Sequence, residues 1–310
     1  MVGVIGVLEG FGVITVVIAV GFVLAHLGVV TLDYQWMLSR LVFFVGSPAL
    51  LFSVLSEVDV AGALSQALVA NAVSVVVVAA IALALARWRW RRGWGDATLS
   101  ALTAGYVNAG NLGLPIAIYV LGDASAVAGA LLLQLLVIAP LAFVVLDQSG
   151  SGERPTVLSV LSRPFRNPVT VGALIGVVVA VSGVSVPRWV ADPIDLLAGL
   201  AIPGMLIAFG ISLRLGPKPG ASGAGGQVAV LSMLKLVVQP LVAYVVARFL
   251  LGLDGSALLA VVVVAGLPTA QNVFVTAVRY DRAVPVVRDV VFATTVLSFV
   301  TILTIAALLA

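Results

Sequence analysis

Cysteine is absent from all 310 residues and histidine occurs once, which excludes disulfides, thiol nucleophiles, iron–sulfur clusters and thiolate or histidine metal clusters. Charge is nearly as scarce. Only 9% of the residues are charged, against about a quarter in soluble domains, while 62% are hydrophobic and the mean hydropathy is +1.24. Such a chain needs lipid as its solvent. The carboxylates avoid the centres of the long apolar runs, so coupling through a midplane Asp or Glu is not expected, while sodium held by amides, hydroxyls and carbonyls stays open. No nucleophile–base pair, buried carboxylate pair or metal-ligand cluster is in view, so an enzyme is not expected and no cofactor is implied. The net charge of +3 and pI near 9.6 fit Lys and Arg gathered in cytoplasmic loops and do not imply nucleic acid. The lone His26 closes the first apolar run and reads as an interfacial residue. The first charge is Glu9, and neither a basic segment before that run nor a small-residue cleavage site after it is evident, so the run is expected to be retained.

What is present is a series of charge-free runs. Those at 60–86, 97–122, 124–146, 167–187, 255–278 and 290–310 are each long enough to cross a bilayer, which takes roughly 20 apolar residues. Four more lie at 10–32, 41–56, 196–213 and 227–251, the last carrying Lys235 and Arg248. The fold class predicted is therefore an all-α integral membrane protein of ten transmembrane helices. On this count thirteen of the sixteen Lys and Arg fall in loops that follow odd-numbered spans, which places those loops in the cytoplasm and both termini outside a multi-pass plasma-membrane protein.

The hydrophilic stretch 147–166 divides the chain into halves of five spans, 1–146 and 167–310, and an odd number per half makes the two repeats inverted. The sequence echoes this. Gly113-Leu114-Pro115-Ile116-Ala117 in the fourth span returns 153 residues later as Gly266-Leu267-Pro268-Thr269-Ala270 in the ninth, and Pro48 in the second span answers Pro203 in the seventh. Paired interruptions in inverted repeats are the pattern of secondary transporters.

The fourth span carries Asn108, Gly110, Asn111, Gly113 and Pro115 in its middle; the ninth carries Gly266, Pro268, Thr269, Gln271 and Asn272. Proline removes a backbone donor and glycine permits unusual conformations, so both helices are predicted to break there. Length agrees, since 97–122 as one helix at about 1.5 Å per residue would overrun a hydrocarbon core of about 30 Å. Unwound backbone at that depth requires protein or a watery cavity around it. The second half-helices would begin at the crossing, offering free N–H groups and positive dipole ends to an anion such as a carboxylate, with the amides of Asn108, Asn111, Gln271 and Asn272 as further donors. Each amide has a plainer reading as a tie between helices. Gln134, Gln239 and Asn71 are weaker candidates for the same cavity. Lys235, about two turns into its span, is expected to snorkel to the headgroups.

At these residues the chain resembles the auxin efflux carrier family, whose members resemble bile-acid symporters in fold. The likeness rests on Asn108 to Pro115, on Leu267 to Asn272 with Arg279-Tyr280, on Phe43 to Phe52, and on Asn167-Pro168 together with Ile202 to Gly210. The resemblance implies crossed broken helices 4 and 9, a scaffold of spans 1, 2, 6 and 7, a transport domain of spans 3–5 and 8–10, elevator-like alternating access, and a homodimer. It implies as substrates small organic anions such as indole acetate or mono- and dicarboxylates. The central loop is short, as in prokaryotic members. Two other readings are a sodium-coupled organic-anion symporter and a non-transporting membrane sensor.

Overall fold

The computed structural model describes residues 4–57, 66–150, 168–216, 220 and 223–309, so most of the predicted central loop lies outside the described residues. Helix dominates. The segments are α1 (Val4–His26), α2 (Leu32–Ser56), α3 (Gln66–Arg89), α4 (Trp94–Gly105), α5 (109–121), α6 (124–150), α7 (Pro168–Ser182), α8 (Arg188–Leu215), α9 (Gly225–Leu250), α10 (Gly255–Ala265), α11 (Gln271–Arg279) and α12 (Val284–Leu309). Five of these, α2, α3, α8, α9 and α12, are long and apolar enough to cross a membrane; Thr15–His26, Pro168–Ser182 and Gly255–Ala265 are shorter apolar helices. Among the described residues there is no strand, only one isolated β-bridge.

Prolines inside these helices are accommodated by local unwinding. Wide π-type turns at Val42–Gly46, Ala109–Gly113, Gln134–Ile138 and Leu234–Val238 each end two residues before a proline, namely Pro48, Pro115, Pro140 and Pro240. Proline lacks the N–H and its ring crowds the carbonyl one turn back; the wider turn moves that carbonyl aside and lets the helix continue. Pro203 has a different remedy, a slackened turn at Gly199–Leu200 within α8.

The chain forms two compact units. One comprises residues 1–64, 110–128 and 164–217. Its helices meet at glycines: a Cβ on Gly21 would land on the Ile207 carbonyl, one on Gly210 on the Ile18 carbonyl, and one on Gly172 on the Pro48 carbonyl. Gly176, one turn beyond Gly172, faces the Phe52 carbonyl. Lipid tails are as apolar as the side chains, so burial alone does not hold such helices together and close backbone approach takes its place. α1 thus lies against the second half of α8, and α7 against the second half of α2, while the end of α5 runs along α1. Ser53 Oγ donates to Asp195 Oδ1 at 2.6 Å, and Arg214 Nε donates to His26 Nδ1 at 3.2 Å.

The other unit comprises residues 65–109, 129–163 and 218–310. α3 packs on α4, α9 and α10, and α12 on α9, α10 and α11. One apolar cluster joins Leu99, Leu102 and Tyr106 of the α4 region to Leu146, Ala270, Val273 and Val287. A second joins Ala70 to Ala243, Ala247, Leu258 and Val262, and a third joins Ala82 and Ala104 to Leu231, Leu234 and Val290. The corner between α11 and α12 is pinned by polar contacts. Tyr280 Oη donates to Asp147 Oδ1 at 2.7 Å, and Arg282 donates to the Ser149 carbonyl and pairs with Asp96 at 3.8 Å.

Gly210→Ala should force α1 and α8 apart, lowering the detergent-solubilised protein's stability by about 1–3 kcal/mol, the usual cost of overpacking. Gly12→Ala, in a position with nothing within 4 Å, is the control and should leave the melting temperature unchanged or raised.

Candidate functional site

Both predicted interruptions are present, and they pair with each other. α4 ends at Gly105 and the chain runs extended through Tyr106; α10 ends at Ala265 and the chain stays non-helical to Ala270. Asn108 N–H donates to the Pro268 carbonyl at 2.8 Å and Ala270 N–H donates to the Tyr106 carbonyl at 3.0 Å, which makes Val107 and Thr269 an antiparallel bridged pair. Backbone left without helical partners by each break is satisfied by the other.

The cause of the break differs from the expectation. It falls at 106–108, ahead of Pro115, which lies inside α5 behind a π-type turn. Neither Gly110, Gly113 nor Gly266 takes a positive φ. Gly266 is required for space instead, since a Cβ there would meet Ile305 Cδ1 at 2.7 Å. Between α10 and α11 the proline does act directly: Pro268 sits within the extended segment and biases Leu267 away from helix.

Side chains from neighbouring helices satisfy what the bridge leaves over. Gln134 Nε2, from α6, donates to the Val107 carbonyl at 3.0 Å. Thr269 Oγ1 donates to the Thr103 carbonyl at 2.6 Å, and the Thr269 N–H is received by Thr294 Oγ1 of α12 at 3.2 Å. From α9, Gln239 Nε2 donates to the Gly105 carbonyl at 3.2 Å and Lys235 Nζ donates to the Ala265 carbonyl at 3.0 Å and to Gln239 Oε1. Gln134 and Lys235 both lie in π-type turns, where the helix has already been opened for a proline.

Lys235 therefore does not snorkel. It is 0% exposed, among the largest fully buried side chains, and its ammonium and the Gln239 amide serve the last carbonyls of α10 and α4. These helix ends carry the negative pole of the macrodipole, so a cation there is favourable and a lysine at the headgroups would have left them bare. The signal available in the sequence was the pair Lys235 and Gln239, one turn apart on a span whose other charge, Arg248, lies near its end. Asn71, by contrast, returns its amide to the Ala67 carbonyl in its own helix.

Of the predicted site residues, Asn108, Gln134, Gly266, Pro268, Thr269, Gln271 and Asn272 lie in the unit built on 65–109, 129–163 and 218–310. The structure brings Asn108 beside Pro268 through the backbone, and it commits Gln134 and Thr269 to the frame. Asn272, in the first turn of α11, is exposed, and Gln271 beside it is half-buried. Gly110, Asn111, Gly113 and Pro115 follow in α5, whose residues from Gly110 onward belong to the other unit; the Asn111 side chain lies outside what is described.

A family described as "Membrane transport protein" has a sequence model that matches residues 9–306 of the chain. A Rhizobium meliloti (strain 1021) protein named "Putative malonate transporter" is 26% identical over 273 residues, covering 86% of this chain and 84% of its own length. A Methanothermobacter thermautotrophicus protein named "Uncharacterized transporter" is 25% identical over 298 residues, covering 93% and 94% respectively.

Gln239→Leu should destabilise more than Lys235→Met. With Nζ protonated, the first leaves a buried ammonium short of an acceptor and the Gly105 carbonyl bare, whereas the second removes that group along with its bonds; a stranded buried charge costs about 3–5 kcal/mol and a stranded neutral group about 1–3. Thermal melting of the two variants decides it, and a reversed order would mean that Lys235 is not the charged partner in the pair.

Proposed function

Because the chain belongs to the auxin efflux carrier family of membrane transport proteins, we propose that it carries small organic anions, with dicarboxylates such as malonate as the leading class. The observation that carries this reading is the electrostatics of the crossing. Two helix C-termini converge at Gly105 and Ala265, and their negative poles are offset by the buried Lys235 and the Gln239 amide. Beside them α11 begins at Gln271, with the exposed Asn272 amide in its first turn. With the negative ends offset, the positive helix start dominates and favours a carboxylate.

In this reading Asn108, Gln271 and Asn272 contact substrate. Gln134, Thr269, Pro268 and Gly266 hold the crossing in shape. The mechanism proposed is elevator-like alternating access of a ten-span inverted repeat in the plasma membrane, with termini outside. Spans 3–5 and 8–10 form the transport domain, and spans 1, 2, 6 and 7 form a dimeric scaffold. The compact unit bearing the paired breaks holds spans 3 and 8–10, most of span 5 and the first half of span 4, whereas residues 110–128, with the second half of span 4, fall in the unit of spans 1, 2, 6 and 7.

The same geometry favours sodium-independent transport over the sodium-symporter alternative. A sodium site at the crossing would draw on the carbonyls at the ends of α4 and α10, and here Gln239 and Lys235 already use those at Gly105 and Ala265.

The test is counterflow of radiolabelled malonate in proteoliposomes. Wild type should show saturable exchange that is unchanged when choline replaces sodium. Asn272→Ala should lose about tenfold or more in kcat/KM, the cost of one hydrogen bond to a charged group, with its melting temperature retained. Exchange that requires sodium would return the symporter reading, and no exchange of any small carboxylate would overturn the anion-carrier assignment.

A further inference from the structure

The turn between α3 and α4 carries a feature that the crossing does not use. Residues 87–94 read Arg-Trp-Arg-Trp-Arg-Arg-Gly-Trp, four arginines and three of the chain's five tryptophans in eight positions. The turn is a built structure. α3 closes in a π-type turn, with Trp90 N–H donating to the Leu85 carbonyl at 3.0 Å and Arg92 N–H to the Ala86 carbonyl at 2.8 Å. Arg91 takes the left-handed conformation at φ 52°, which lets the chain reverse within two residues. Arg87 is used internally: its guanidinium lies 4.7 Å from the Trp94 ring centroid and donates to the Arg92 carbonyl. Trp90 turns inward against the Ala82–Leu231–Val290 cluster.

What this leaves outside is selective. Arg89, Arg91 and Arg92 are exposed, and among the described residues no carboxylate pairs with any of them, whereas Arg248, Arg282 and Arg288 each pair with an aspartate. Trp88 is 82% and Trp94 56% exposed. Three unpaired guanidinium groups therefore share one short surface with two open indoles. That surface caps α3, whose Val73, Val76 and Ile81 are also exposed, as lipid-facing residues of a spanning helix are.

We infer that the 87–94 turn is a binding site for anionic phospholipid headgroups of the leaflet it faces. Guanidinium pairs bidentately with phosphate, indoles partition to the headgroup level, and a basic cluster at the end of a spanning helix draws anionic lipid. A soluble polyanion would satisfy the arginines and leave Trp88 and Trp94 in water, whereas lipid satisfies both. Arginines serving only to set topology would need neither the fixed turn nor the tryptophans. The inference does not depend on the transport reading.

The experiment reads tryptophan fluorescence in a Trp36→Phe, Trp189→Phe background, where only the three residues of the turn report. The protein is reconstituted with brominated phosphatidylglycerol or brominated phosphatidylcholine at equal mole fraction. The expected result is quenching by the anionic lipid at least about twofold stronger, a difference that shrinks with added salt and that added soluble glycerol phosphate does not abolish. Arg89→Gln, Arg91→Gln, Arg92→Gln combined should erase the difference while quenching by brominated phosphatidylcholine persists, which shows the turn still at the bilayer. Equal quenching by the two lipids in the parent, a difference that survives in the triple variant, or loss of the difference to soluble glycerol phosphate would each overturn the proposal.

Discussion

A backbone that leaves helix while buried must find partners for its N–H and C=O groups within the protein, and much of this structure answers that requirement. At the crossing it is met by reciprocity: each break supplies one donor and one acceptor to the other through Asn108–Pro268 and Ala270–Tyr106. Remaining carbonyls at Thr103, Gly105, Val107 and Ala265 draw side chains from four other positions. The helices α6, α9 and α12 are thereby tied to the breaks, and disturbing either break strands groups on several helices at once.

Electrostatics follows from this frame. Breaking two helices creates four new ends, two of each polarity, in a medium that screens poorly. The ends of α4 and α10 are answered inside the protein by Gln239 and Lys235, while α11 starts beside them at Gln271. The prolines contribute from a distance: the π-type turns that accommodate Pro140 and Pro240 contain Gln134 and Lys235.

Much of this was legible beforehand. Charge scarcity identified lipid as the solvent, and the Gly-Leu-Pro echo marked the second interruption at 266–268, while the first lies at 106–108, ahead of its Gly113-Leu114-Pro115. Sequence reasoning assigned the wrong agent to the first, because Pro115 was expected to break the helix and a π-type turn absorbs it instead. It read Lys235 as a snorkelling side chain because distance from the span's end is visible along the chain, while the carbonyl of Ala265, thirty residues away, is not. Gln134 and Thr269 had the composition of ligand groups, and their commitment to Val107 and Thr103 depends on contacts between helices remote in sequence.

The sequence by itself determined the solvent, the helical class and where continuous helix fails, because these depend on hydropathy and on the local chemistry of proline and glycine. Tertiary structure alone decided which polar groups are used up and which remain open, because an amide's role depends on the acceptor it meets. Asn272 is left exposed and Gln134 is not, for the physical reason that an unwound carbonyl lies within reach of only the second.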